Sequence, residues 1–301
     1  MAAPVMERFD RGRVLFDGGL GSQFIAQGLE TGWPPDEWNR SRPDVVRSVH
    51  RAYIDAGADV ITTNTFGSTP ARMTTHDLAG HVAEFNRAGI RRVREALEAS
   101  GARDRFVGFS MGPGGEMMPP VGTADEARVR AEYEAQVGSL DPGDLPDIIL
   151  IETMIDLREA LIALEVAKTT GLPVSVALTC NKNPRGYFTV MGNEAAESAA
   201  QLEAAGADVI AANCSIASGD MLGLAKLLRK QTALPLLCQP NAGAPGIRDG
   251  LPVYDQTPEE FCAHALELYD MGVNAVGGCC GTTPEFIRLV SQAIGPGEAR
   301  A

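Results

Sequence analysis

A phrase that recurs three times constrains this chain more than any other feature. The segments AYIDAGADVITTN (52–64), QLEAAGADVIAAN (201–213) and LELYDMGVNAVGG (266–278) each run a helical stretch into a glycine and, two residues later, into a strand. Gly57, Gly206 and Gly272 stand where a helix closes in the left-handed conformation, which glycine adopts without steric cost. The same beat of strand, polar or Gly-rich turn and Ala/Glu/Leu/Arg-rich helix runs along the whole chain. It predicts strands near 14–17, 59–64, 105–110, 147–152, 174–179, 208–213, 235–239 and 274–277, with helices over 43–56, 81–100, 124–139, 157–170, 195–205, 221–232 and 258–271. Alternating strands and helices give a parallel sheet, and eight such units in 301 residues predict a single (β/α)8 TIM barrel spanning 1–301. No Gly/Ser linker or low-complexity tract divides it.

Charge and composition exclude several classes of partner. The net charge is −13 and the 26 Lys and Arg are scattered, so the chain lacks the clustered positive field of a nucleic-acid binder. Charges at Glu7, Arg8, Asp10, Arg11 and Arg13 break up the N-terminal segment, so it lacks the apolar core of a secretory signal. No stretch approaches the roughly 20 apolar residues that span a bilayer, and a cytoplasmic location with no membrane partner is expected. Six cysteines in a chain of this length do not make a disulfide framework.

In a TIM barrel the chemistry sits at the C-terminal ends of the strands. Those positions read Asp17-Gly18-Gly19, Asn64-Thr65-Phe66-Gly67, Ser110, Glu152-Thr153, Asn213-Cys214, Gln239-Pro240-Asn241 and Gly277-Gly278-Cys279-Cys280-Gly281. Strands six and eight flank strand seven, so Cys214, Cys279 and Cys280 can meet at one point. Three thiolates with an open fourth position suit a catalytic zinc, because a structural zinc is closed by four protein ligands, and soft sulfur favours zinc over magnesium or calcium. Adjacent cysteines converge only if the flanking glycines let the backbone bend. Cys180, Cys238 and Cys262 read as small buried apolar thiols. A zinc ion held by three thiolates keeps a bound thiol ionised and electron-rich, which suits attack on a methyl group. Glu152 and Asp17 can hold the ammonium of an amino-acid substrate while the Gly18-Gly19 amides receive its carboxylate, although Asp17 also suits capping of the turn that follows. Asn64, Ser110 and Asn241 complete the candidate substrate-binding set. The loop over 18–42 suits a lid or a packed rim. A zinc-storage protein would not need the amino-acid clamp, and a Schiff-base lyase would need a strand-end lysine, for which Lys182 is the nearest candidate.

The set DGGLG (17–21), NTFG (64–67), SMGPGG (110–115), ET (152–153), NCS (213–215), PNAG (240–243) and GGCCGTTPE (277–285) resembles the homocysteine S-methyltransferase family over nearly the whole chain. The resemblance implies that a zinc held by Cys214, Cys279 and Cys280 binds the sulfur of homocysteine, which a methyl group converts to methionine. It implies an amino-acid site around Asp17, Gly18, Gly19 and Glu152. It also matches Asn241 to the residue that holds the fourth zinc position in the methionine-synthase branch until substrate arrives. The TNTFG and PNAG forms look most like the homocysteine module of that cobalamin-dependent branch. The chain ends at Ala301, so a methylcorrinoid donor is expected on a separate protein. A small sulfonium or quaternary ammonium donor (S-methylmethionine, a dimethylsulfonium compound or betaine) is the alternative, with Trp33, Trp38 and Phe66 as candidate pocket residues. Against it, Met154 stands where the betaine branch is expected to carry an aromatic residue. The segment after NCS, Ile216-Ala217-Ser218-Gly219, lacks the family's usual Gly-Pro.

Overall fold

Eight parallel strands close on themselves in the computed structural model, which describes residues 3–244, 246–248 and 251–295. They are β1 (Val14–Leu15), β2 (Val60–Thr62), β3 (Phe106–Met111), β4 (Ile148–Met154), β5 (Val174–Leu178), β6 (Val209–Ala217), β7 (Leu236–Asn241) and β8 (Ala275–Val276). Each pairs with its neighbours in chain order, β8 pairs with β1, and a parallel bridge from Phe16 to Val60 joins β1 to β2. The barrel helices are α1 (Pro43–Asp55), α2 (Val82–Ser100), α3 (Glu126–Val137), α4 (Leu157–Lys168), α5 (Ala195–Ala204), α6 (Ser218–Gln231), α7 (Pro258–Asp270) and α8 (Pro284–Ile294). The expected (β/α)8 TIM barrel is the observed fold.

The period-two alternation of the strands sorts their side chains into two cores. Val14, Phe16, Val60, Ile148, Leu150, Val209, Ala211, Leu237 and Ala275 fill the barrel interior, while Leu15, Ile61, Ile149, Ile151, Ile210 and Val276 face the helices. The short Pro4–Asp10 helix adds Val5 and Phe9 to the interior cluster. Its Arg8 guanidinium donates to the buried Asp59 carboxylate at 3.0 Å. Apolar packing through the interior leaves polar side chains to collect at the C-terminal mouth.

The predicted left-handed positions are observed: Gly57, Gly206 and Gly272 have φ of 98°, 93° and 86°. Several boundaries move. The first and last strands are shorter than expected, and Asp17 lies beyond β1 rather than in it. Strand β6 runs on past Asn213 to Ala217, and α6 starts at Ser218 instead of 221. The Leu20–Ala26 helix, α8, and the hairpins Asn181–Asn183 with Gly186–Phe188 and Gly246–Arg248 with Leu251–Val253 are additions to the predicted plan. Among the described residues, no helix is long and apolar enough to cross a membrane.

Candidate functional site

Two local distortions bring the cysteines to the mouth. Between the β6–β7 pairs Asn213–Gln239 and Ala217–Asn241, three residues of β6 stand against one of β7. Within this bulge Cys214 and Ser215 have φ of 60° and 59°, a region costing of order 1–3 kcal/mol for a residue with a side chain. On the other side, the Cys279 N–H donates to Pro240 O at 2.9 Å, and the Ala242 N–H donates to Cys280 O at 3.0 Å. The end of β7 thus grips the cysteine pair on both sides. Gly281 has φ 82°, and a Cβ there would collide with the Tyr254 ring, so this turn needs glycine.

The three sulfur atoms lie within 4.8 Å of one another. They share hydrogen bonds. Cys280 accepts from Cys214, Cys279 and the Tyr254 hydroxyl, and despite burial its thiol is pushed down to about 3. Cys214 accepts from Cys279 but donates to Cys280 and is partly buried, and it is pushed up to about 11. Cys279, donating to both and buried, is raised well above the ordinary thiol value. Ionising all three thiols so close together therefore calls for a cation among them. Three thiolates around one zinc ion stand about 3.8 Å apart, from a Zn–S length near 2.3 Å and tetrahedral angles, so the observed cluster fits a soft divalent ion. Asn241 adds an independent sign. It sits between the two backbone contacts to the cysteine pair, and its Oδ1 is buried with no hydrogen-bond partner among the described residues. Leaving such an oxygen unpaired is costly unless a ligand is meant to meet it.

A cavity of about 280 Å³ opens above the thiols, walled by Asp17, Asn64, Phe66, Ser110, Glu152 and Gln239. Glu152 Oε1 accepts from Ser110 Oγ at 2.5 Å, and its Oε2 has only a long contact of 3.4 Å from Asn213 Nδ2. Burial pushes its carboxyl up to about 7, against the Ser110 hydrogen bond and with repulsion from Cys214 adding. Asp17 is also pushed up to about 7 by burial, against two hydrogen bonds from Thr62. Those bonds, from Thr62 N and Oγ1 at 2.7 Å each, engage both of its oxygens. Glu152 is therefore the carboxylate with an oxygen to spare. The Asn213 side chain accepts from Thr153 N at 2.9 Å and donates to Thr153 Oγ1 at 2.8 Å, which holds the strained Thr153 (φ 61°) next to Glu152.

The glycines after Asp17 provide space. A Cβ on Gly18 would strike Thr282 and Tyr53, and one on Gly19 would strike the Cys279 carbonyl. The Gly19 N–H, expected to receive a substrate carboxylate, instead donates to Thr282 Oγ1 at 3.0 Å. Thr282 Oγ1 in turn donates to Cys279 O at 2.6 Å, so this threonine staples the DGG turn to the cysteine pair. The amide nitrogen of Asn64 is likewise committed, donating to Pro35 O at 2.7 Å and Asn39 Oδ1 at 3.1 Å, while Asp36 Oδ1 accepts from Gly67 N at 3.0 Å. These bonds fix the 18–42 loop as one wall of the mouth.

A second cavity of about 690 Å³ adjoins the first, sharing Pro35 and Phe66 and reaching Trp33, Arg72 and His76. Trp38, a candidate for that pocket, is buried in the core against Phe24 with ring centroids 5.8 Å apart. The Arg72 guanidinium covers the Phe66 ring at 5.5 Å. Of the remaining cysteines, Cys180 and Cys238 are buried, with burial pushing each thiol up to about 12, and Cys262 sits on α7. Lys182 lies on an outer hairpin, paired to Asp220 at 2.7 Å. Tyr254, Thr282 and Asn213 escaped the sequence reading as site residues, although the last two belong to the GGCCGTTPE and NCS motifs. Tyr254→Phe removes the hydroxyl donor to Cys280 and is expected to weaken zinc retention by about 10- to 100-fold, the usual effect of losing an outer-shell partner; competition with a zinc-binding dye measures it, and unchanged affinity excludes that role.

Residues 14–294 match the family model described as homocysteine S-methyltransferase. The chain is 34% identical over 265 residues to a methionine synthase of Mycobacterium tuberculosis, covering 85% of this chain but 22% of that relative. It is also 34% identical over 268 residues to the methionine synthase of Mycobacterium leprae, with the same coverage. It therefore spans about a fifth of the length of these relatives. Among solved structures, the homocysteine methyltransferase MmuM from Escherichia coli in its metallated form superposes with a TM-score of 0.81 at 20% identity, covering 96% of this chain and 99% of that one. At that identity the likeness is one of fold.

Proposed function

Since the chain belongs to the homocysteine S-methyltransferase family, we propose that it methylates the thiol of homocysteine to give methionine, drawing the methyl group from a methylcorrinoid. The observation that carries this reading is the convergence of Cys214, Cys279 and Cys280 on the floor of a cavity whose wall presents Glu152. These three cysteines would hold Zn²⁺, with Asn241 beside them. The ion supplies Lewis acidity that keeps the acceptor sulfur deprotonated at neutral pH.

The chain's own residues do the rest. Glu152, oriented by Ser110, offers its open oxygen to the substrate ammonium in a charge-assisted hydrogen bond. Asp17 is held by Thr62, and it adds negative potential to the same end of the cavity. Thr282 and the grip of Pro240 and Ala242 keep the cysteine pair fixed, so that ligand geometry is set before substrate arrives. In the transfer the acceptor sulfur loses its proton and forms the S–CH3 bond, and the donor keeps the electron pair of the bond that breaks.

Two observations favour a corrinoid over a small onium donor. The relatives at 34% identity are methionine synthases. A sulfonium or quaternary ammonium seeks open aromatic faces, and of the three candidate rings Trp38 is buried in the core and one face of Phe66 is covered by Arg72, which leaves Trp33. A donor panel tests the reading. Methylcobalamin is expected to support methionine formation, and S-methylmethionine, S-adenosylmethionine, a dimethylsulfonium compound and glycine betaine are not. Turnover with an onium donor alone would overturn the donor assignment, and no methionine from any donor would overturn the activity.

A further inference from the structure

We infer that the groove between the Trp38–Ser41 helix and α2 is a binding site for a multiply charged oxyanion of the phosphate or diphosphate type. The groove encloses about 400 Å³ and is lined by Arg40, Arg87, Arg91 and Arg92 against the single carboxylate of Glu84, with Asn39 among the walls. In a chain of net charge −13, the groove gathers four guanidiniums, and although Glu37 and Glu95 beyond its walls pair with Arg40 and Arg92, an excess of positive charge remains on this one face.

The arginines are available in different degrees. Arg87 and Arg91 lie four residues apart and share one face of α2. Arg87 spends its Nε on Ser139 O at 2.8 Å, and no hydrogen bond or ion pair engages Arg91 among the described residues. Arg92 reaches Glu95 at 3.2 Å, and its Nε is buried without a partner. Burial disfavours the charge of Arg92, and Arg91 and Arg47 oppose it further, against the attraction of Glu95. Arg40 enters from the facing helix, shared between Glu37 and Glu84 at 3.5 Å each. Guanidinium forks converging from two helices match the several oxygens of a phosphate group better than one carboxylate or a halide. The groove also lies next to the thiol cavity, because Asn39 Nδ2 donates to Asn64 O at 2.6 Å.

Titration calorimetry of the whole chain with inorganic pyrophosphate at low salt tests the site. One saturable site per chain is expected, weakened by at least about tenfold in the Arg87→Gln/Arg91→Gln double variant, as loss of charge-assisted hydrogen bonds requires. The same charge change at Arg51 and Arg288, outside the groove, is expected to leave the affinity as it was. Arg91→Gln alone serves if the double variant fails to fold, because Arg91 is exposed, and a loss of about threefold or more is then expected. Absence of saturable binding, an affinity unaltered in the groove variants, or an equal loss in the Arg51/Arg288 pair would each overturn the inference. The titration needs neither methyl donor nor acceptor, so its failure leaves the methyl-transfer reading intact.

Discussion

Serine at position 279 or 280 is expected to abolish zinc retention and to lower methyl transfer by at least about 10³-fold, the several kcal/mol that metal activation of a nucleophile supplies. The replacement keeps the size of the side chain but exchanges a soft sulfur for a hard, protonated oxygen, and each sulfur is one of three that meet within 4.8 Å. The barrel is expected to fold normally, because neither residue belongs to the apolar clusters that hold the strands and helices. Serine at Cys262, on the outer helix α7, provides the contrast and is expected to keep both metal and turnover. Elemental analysis of the purified variants, with circular dichroism as the check on folding, measures the effect. Stoichiometric zinc together with normal turnover in Cys279→Ser or Cys280→Ser would remove these cysteines from the metal site.

Glu152→Ala is expected to weaken homocysteine binding by about 10- to 100-fold, the equivalent of one charge-assisted hydrogen bond of about 1.5–3 kcal/mol. The reason lies in the pairing of the two carboxylates: Thr62 engages both oxygens of Asp17, whereas Ser110 engages one oxygen of Glu152. Burial pushes Glu152 up to about 7. Only its ionised form attracts an ammonium, so its contribution to affinity grows as pH rises through that value and fades below it. The wild-type protein should gain more affinity between pH 6 and pH 8 than Glu152→Gln, which keeps a hydrogen-bonding side chain but has no charge to titrate. Comparing the two isolates this carboxylate from ionisation of the substrate thiol. Calorimetric titration of homocysteine reads both effects, and unaltered affinity in Glu152→Ala would remove the residue from the clamp.

The architecture was legible because it repeats. A helix closing at Gly57, Gly206 or Gly272 and a strand beginning two residues later is a local event, and eight strands in alternation with helices leave few ways to bury them. Strand-end positions were legible for the same reason, and they include Cys214, Cys279, Cys280 and Glu152. What remained hidden depends on where loops travel after the strands end. Nothing near Tyr254 in the sequence indicates that its hydroxyl reaches Cys280, and nothing near Gly19 indicates that its N–H is taken by Thr282, 263 residues away. Asn64 lines the cavity as expected, but its amide nitrogen secures the 18–42 loop. Trp38 was a pocket candidate by residue type alone, and its neighbour Phe24, on a helix the strand-and-helix beat does not predict, draws it into the core. The bulge that turns Cys214 inward is likewise invisible, because its two left-handed residues carry side chains that ordinarily avoid that region.

Zinc-edge X-ray absorption of the intact protein, before and after adding homocysteine, tests the three-thiolate site most directly. One zinc per chain with three sulfur neighbours, rising to four when homocysteine is added, is the expected result. A zinc with four sulfur neighbours at the outset, or a sulfur count that homocysteine leaves unchanged, would contradict it.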